Sequence, residues 1–514
     1  MHNVVWYRRD LRTEDHQPLS LAAAAGGCLP LYIADDSIWQ AADASANQWE
    51  FVAESLRELR HELAALGFPL LIRHGSSLEI FKDLHRTFKI SAIYSHRETV
   101  NRVSRRRDNT MGMWLKSQGI PWHQSEVGGV IPGLRSRDGW SARWEKTMEL
   151  PLLKATSSET RTKPQRATSD IPTARQVAGQ DSLMQFRQPG GRKAGLELLD
   201  SFLKQRGERY HREMSSPLTA NQSCSRLSAH LTHGTLSMRE VVQRLRQKQQ
   251  KLRGLSKFER GTWLSALRAF DSRLHWHCHF IQKLDDDPQF EFECVHSGAD
   301  KLQRVHNAKL LIQWSAGETG FPFIDACMRF LKAHGWINFR MRAMLASFAS
   351  YHLWLDWRSS GLVLARLFTD YEPGIHWNQM QMQSGTTGIN APRIYNPVKQ
   401  SYDQDPKGDF IRTWVPELTH VPLHHIHEPW QMEDALQHQC GCVIGKDYPR
   451  RIVDHIKAAR EAREAIARMR RTEGFKHEAG QILQRHGSRK RTIHKKSKRQ
   501  AQHKKKDNQM TFDL

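Results

Sequence analysis

The apolar residues of this chain change their period part-way along, and that change limits its architecture more than any single motif. In the first 130 residues, short apolar runs alternate with amphipathic stretches. Residues 3–7, 29–33, 70–72 and 92–94 are too short for helices and rich in Val, Ile, Leu and aromatics, as fully buried strands are. The stretches between them read as helices near 15–25, 48–66, 76–88 and 99–118. In the second of these, Phe51, Leu56, Leu59, Leu63 and Leu66 fall at helical spacing. Strands alternating with helices predict a doubly wound parallel sheet over 1–130. Such sheets take ligands beyond the carboxyl ends of their strands. No G-x-G-x-x-G occurs, so the dinucleotide fingerprint is absent from this domain.

From residue 196 the period is helical. Patterns recur near 196–207, 225–231, 237–251, 257–283, 305–316, 322–334, 336–357, 360–368 and 450–470, without an internal repeat. This predicts an all-α second domain over 196–470, of the kind that encloses a cofactor between helices. Residues 131–195 lie between the two domains. Their Ser/Thr/Pro-rich part, 151–195, reads as a linker wrapping the surface, with a disordered insert as the alternative. Residues 471–514 read as a basic, disordered tail, because 489–506 holds a run of Lys and Arg with no acid.

The formal net charge is +23 over 514 residues, and the body stays basic without the tail. Such an excess favours nucleic acid or another polyanion. Seven scattered cysteines fit a reducing compartment. No run is long and apolar enough to span a membrane, and the N-terminus has no apolar leader core. A cytoplasmic monomer is the expectation. His275, His277 and His279 have no acid or second Cys beside them to complete a tetrahedral set, so no metal site is assigned. No Walker loop, Gly-x-Ser-x-Gly or HExxH is present, so the common NTPases and hydrolases are unsupported.

The chemistry concentrates in residues 335–397. Arg340, Arg342 and Arg358 stand among Trp336, Phe339, Phe348, Trp354 and Trp357, and a loop with Asp370, Glu372 and His376 follows. A buried charge is costly unless paired, so these arginines need anions and these acids need donors. A polar ligand with flat faces satisfies both; the plainer alternative is a core helix whose arginines reach solvent. Upstream, Ser223-Cys224-Ser225-Arg226-Leu227-Ser228 opens a predicted helix. Its hydroxyls, backbone N–H groups and Arg226 form a candidate anion site, and Tyr210 is a candidate wall. Simple N-capping is the alternative. Asp325 and Arg329, at i and i+4, read as a surface ion pair.

Taken together these motifs resemble the photolyase/cryptochrome family, from Val4 to about Trp430. V-W-Y-R-R-D-L-R-T-E-D-H-Q-P-L resembles the family's opening strand and loop, and Ser225–Ser228 its flavin phosphate motif. Residues 319–329, 335–342 and 355–358 resemble its flavin-pocket helices; 396–400, 408–418 and 427–430 resemble its closing segment. The resemblance implies a helical domain that holds a U-shaped FAD. It also allows a second, light-harvesting antenna chromophore of unspecified identity. Cofactor contacts are then expected from Tyr210, Ser225, Arg226, Leu227, Ser228, Trp263, Arg273, Phe339, Arg342, Asp370, Glu372 and His376. Arg342, oriented by Asp370, would face the anionic reduced flavin, with Glu372 at the ring edge and His376 near N5. Of these, Arg342, Asp370 and His376 carry the chemistry. Trp357 matches the middle electron-relay Trp. Trp336, Arg340, Met382, Arg393 and Gln400 are the expected DNA contacts.

The chain also departs from the family's pattern. Phe339 and His376 stand where Asn is usual, and Met380 and Met382 where Trp is usual. Arg304 stands at the outer relay position. His376 could change charge near neutral pH. The helix after Trp263 lacks the family's substrate-side Glu and Trp. These features fit a divergent bacterial-type DNA photolyase. The implied function is light-driven repair of cyclobutane pyrimidine dimers. The alternatives are a cryptochrome-type blue-light receptor, a (6-4) photolyase, and a nucleic-acid binder with structural FAD.

Overall fold

The computed structural model describes residues 2–134, 136–154 and 170–487. Five strands, β1 (His2–Tyr7), β2 (Cys28–Ala34), β3 (Leu71–His74), β4 (Ile90–His96) and β5 (Trp122–Ser125), form one parallel sheet in the order β3-β2-β1-β4-β5. Alternate residues leave opposite faces of each strand. Val4, Trp6, Leu31 and Ile33 pack with Phe81, Leu84, Met111 and Leu115 on one side. Val5, Tyr7 and Tyr32 pack with Trp49, Val52 and Leu56 on the other. Burial on both faces explains why β1 and β2 read as unbroken apolar runs. β5, Trp-His-Gln-Ser, was not legible: it is an edge strand, and only Ser125 is buried. The winding reverses between β1 and β4, so the loops after them, with Arg8, Arg9, Asp10 and Glu98, border a crevice.

The expected linker is in part a strap. Helix Trp140–Glu149 sets Trp140, Trp144 and Met148 into the helical domain's core. Helix Ala174–Ala178 sets Ala174 and Val177 against the sheet domain's core. Residues 155–169 of that segment lie outside the described residues. The domains also interlock directly: Arg12 donates to Gly234 O at 3.0 Å, and Gln48 Nε2 donates to Ala365 O at 2.9 Å.

Two expected helices are divided. The 336–357 pattern becomes helix Phe339–Ser347, a wide π-type turn at Phe348–His352, and a break before helix Trp357–Leu367. The break is where Trp354 takes φ +53° beneath the Arg304 guanidinium, 4.8 Å from its ring. The 257–283 pattern is cut at Gly261, φ +50°, into Lys257–Arg260 and Trp263–Asp286. Part of the expected tail is a helix. Helix Phe475–His486 is docked by Phe475, stacked 4.0 Å from His296, and by His486, 4.8 Å from Phe290. Basic composition had hidden this apolar face. Residues 488–514 of the expected tail lie outside the described residues. No described helix is long and apolar enough to cross a membrane.

Candidate flavin site

A cavity of about 290 Å³ is walled by helices Trp263–Asp286, Phe339–Ser347 and Pro373–Ser384 and by the 224–228 loop. Tyr210, Ser225, Arg226, Leu227, Ser228, Arg273, Phe339, Arg342, Asp370, Glu372 and His376 all line it. Trp263 does not. It packs in the core with Phe270 and Leu274, under the Lys248 ammonium 4.8 Å away. The wall of that helix is made by Arg273, Trp276, His277 and Phe280, spaced i, i+3, i+4 and i+7. Trp263 lies ten residues earlier, about 15 Å along the axis.

Arg342 and Asp370 form a two-pronged pair, at 3.0 Å to Oδ1 and 2.8 Å to Oδ2. Arg342 Nε also donates to Ile337 O at 2.7 Å, and the guanidinium lies 4.1 Å over Phe368. Burial disfavours the Asp370 charge, but the guanidinium outweighs it and holds the acid below the ordinary carboxylate range. Glu372 is anchored from the other domain: its Oε2 accepts from Arg9 Nη2 at 2.6 Å. Burial raises its pKa, with Arg9 opposing. The sequence carried no sign of Arg9 at this site.

His376 donates from Nε2 to Gly361 O at 2.9 Å, which leaves Nδ1 as an acceptor. Burial lowers its pKa to about 3, so it stays neutral where the sequence had admitted a charge change near neutral pH. The 223–228 segment does not open a single helix. Ser223 ends helix Pro217–Ser223, and Ser228 begins helix Ser228–Thr232. Arg226 sits between them at φ +62°, with its guanidinium 4.1 Å over Trp336 and Nη1 on Asn221. Burial lowers its pKa to about 10, which leaves it cationic at neutral pH.

The expected DNA contacts divide. Trp336 and Arg340 line the cavity, and the Trp336 face is already covered by Arg226. Met382 and Gln400 are 7% and 8% exposed and outside the lining, so neither offers a face to an entering base. Met382 is excluded by helix phase, because residues 375, 376, 379, 380 and 383 hold the cavity face. Arg393 is also outside the lining, and its carbonyl accepts from Ser347 Oγ at 2.9 Å. Trp357 is buried and meets Trp377 edge-on at 5.8 Å, and Trp377 lies 4.8 Å from His376. Arg358 faces away from the cavity, paired with Asp356 at 3.0 Å.

Asp325 and Arg329 are not a surface pair. Asp325 is fully buried, accepting from Thr319 N at 2.8 Å and Thr319 Oγ1 at 2.6 Å, while Arg329 pairs with Glu417 at 2.8 Å. His275 and His277 face different neighbours: His275 bonds Ser141 at 3.0 Å, whereas His277 lines the cavity.

The lining holds four arginines, 226, 273, 340 and 342, against Asp370 and Glu372. It also holds buried polar atoms without a partner among the described residues: both His277 ring nitrogens, Asn338 Oδ1, Glu372 Oε1, Gln379 Oε1 and Gln383 Oε1. Buried polar atoms are normally paired, so these point to a ligand rich in donors and acceptors. The arginines suit its anionic groups. A dinucleotide flavin has both properties, and the lining's chemistry suits it.

Residues 3–132 match the family model for DNA photolyase, and residues 270–468 match the FAD binding domain of DNA photolyase. The chain belongs to the photolyase/cryptochrome family. A deoxyribodipyrimidine photo-lyase of Alkalihalophilus pseudofirmus is 28% identical, with 89% of this chain and 96% of that one covered. A cryptochrome DASH of Gloeobacter violaceus is 27% identical over 90% of this chain and 95% of that one. An archaeal photolyase structure from Sulfolobus tokodaii, with two FAD molecules, aligns with a TM-score of 0.73 and 26% identity. It covers 91% of this chain and 100% of that one. FAD is the cofactor of this photolyase/cryptochrome protein.

Proposed function

We propose that this protein is a DNA photolyase that repairs cyclobutane pyrimidine dimers with light and reduced FAD. When bound, the flavin supplies the electron that splits the dimer and takes it back afterwards. The observation that carries the reading is the charge of the cavity. Four arginines line the cavity against Asp370 and Glu372, and this excess of cationic over acidic side chains favours a reduced, anionic ring. Arg342 is held rigidly for this by Asp370 and Ile337 O. His376 stays neutral and offers Nδ1 as an acceptor.

The net charge of +23 supplies the attraction for the DNA backbone. The candidate site for a second chromophore is the crevice beside the carboxyl ends of β1 and β2, where Trp39 and Arg107 are among the lining residues. We place the enzyme in the cytoplasm as a monomer.

The test is thymine recovery from a dimer-containing oligonucleotide mixed with the reduced protein under blue light. Recovery no greater than in the dark would overturn the repair reading. A cryptochrome-type photoreceptor is the second reading, favoured by the burial of Met382 and Gln400 away from any entering base. Light-driven flavin chemistry without recovery would select it.

A further inference from the structure

Tyr371 lines both the flavin cavity and the sheet-domain crevice beside β1 and β2. Its phenol O–H donates to Asp43 Oδ2 at 2.6 Å, across the domain boundary. The same carboxylate oxygen accepts from Asn101 Nδ2 at 2.8 Å, and Asp43 is buried. Trp377 Nε1–H donates to the phenol oxygen at 3.1 Å. The Tyr371 ring centre lies 5.2 Å from that of His376 on the flavin wall. A tyrosine on the flavin cavity thus has its proton already directed at a buried base. Burial, with the Asp43 charge, keeps the phenol protonated far above neutral pH, so it does not ionise before an electron leaves.

The electron-relay positions of the family pattern are interrupted at two points. Met380 lines the cavity, and Arg304, held by the carbonyls of Ser350 and Ser384, covers Trp354. Neither methionine nor arginine is an aromatic donor.

We propose that Tyr371 and Asp43 form a proton-coupled electron donor to the flavin. On illumination one electron passes from Tyr371 to the oxidised flavin. The phenolic proton moves along its hydrogen bond to Asp43, giving a neutral tyrosyl radical and a neutral carboxylic acid. A thiolate from solution then returns one electron to the tyrosyl oxygen, and Asp43 returns the proton. The sum is one electron from the thiolate to the flavin, leaving a thiyl radical. The proposal rests on FAD binding and not on dimer repair.

The test uses the full chain with oxidised FAD, a small thiol and blue light, and follows the loss of flavin absorbance. Wild type should photoreduce about twofold or more slowly in D₂O, since a proton moves with the electron. Tyr371→Phe should photoreduce about tenfold or more slowly, an increase of roughly 1.4 kcal/mol in the barrier. Asp43→Asn should slow the reaction and lose the isotope effect, whereas a hydrogen bond that only joins the domains would leave the isotope effect in place. Wild-type rate and isotope effect in both variants would overturn the proposal. If a variant loses its flavin, the wild type still decides. Illumination of protein grown with ring-deuterated tyrosine should narrow the tyrosyl resonance, and no tyrosyl resonance would overturn the proposal. Photoreduction that Tyr371→Phe slows, without thymine recovery, would refute the repair reading and support this one.

Discussion

Replacing Arg342 with alanine removes both hydrogen bonds to Asp370 and leaves that carboxylate buried, with its side chain 3% exposed. Removing one partner of a buried pair costs about 3–5 kcal/mol, because the other charge stays desolvated. Loss of the Nε bond to Ile337 O and of the contact with Phe368 adds to this. The pH dependence separates the charge effect from simple loss of packing. In the wild type the folded-state pKa of Asp370 lies below its unfolded value. Its stabilising contribution is therefore present above the unfolded pKa of about 3.9, and is lost as pH falls through the folded value. Between pH 7 and 5 this group leaves wild-type stability unchanged. In Arg342→Ala, burial is opposed only by Ser228 and Arg226, and the expected pKa lies above the unfolded value. The variant then gains relative stability as pH falls toward that raised pKa. Urea unfolding of both proteins at pH 7 and pH 5, with bound flavin measured in parallel, reads the two slopes. A deficit below about 1 kcal/mol, or one that stays the same between these pH values, refutes the account of the pair.

Two further outcomes are expected, one from packing and one from charge. Gly361 lies in helix Trp357–Leu367, where alanine ordinarily stabilises by about 1 kcal/mol. Here a Cβ would stand 2.5 Å from Trp377 Cζ3 and 3.5 Å from Met380 Cγ, so Gly361→Ala should destabilise by about 1–3 kcal/mol and alter tryptophan emission; a raised urea midpoint would show that the Trp377 packing can yield. Deleting residues 488–514 removes a largely basic segment and should weaken DNA affinity at low salt and flatten its salt dependence, with bound FAD unchanged; equal affinities at every salt concentration would dismiss an electrostatic arm.

The repeating signals were legible in the chain itself. The runs of β1 to β4 stood out because a parallel sheet buries both faces, and the amphipathic helices because their apolar period is 3.6. Charge pairing along the chain marked Arg342, Asp370 and Glu372 as groups in need of partners, and the flavin contacts of the other candidate cavity residues came from the family resemblance. Several results depended on the tertiary structure. Helix phase turns Met382 away from the cavity, and ten residues of helical rise carry Trp263 off to another core. Burial keeps His376 neutral, and burial together with Thr319 converts Asp325 from a surface partner into an internal hub. The partners of Glu372 and Tyr371, Arg9 and Asp43, lie more than three hundred residues away. Local sequence sets period, propensity and the presence of charges that need partners. Which partner answers each charge is decided by how the two domains close on one another, and no spacing along the chain encodes that.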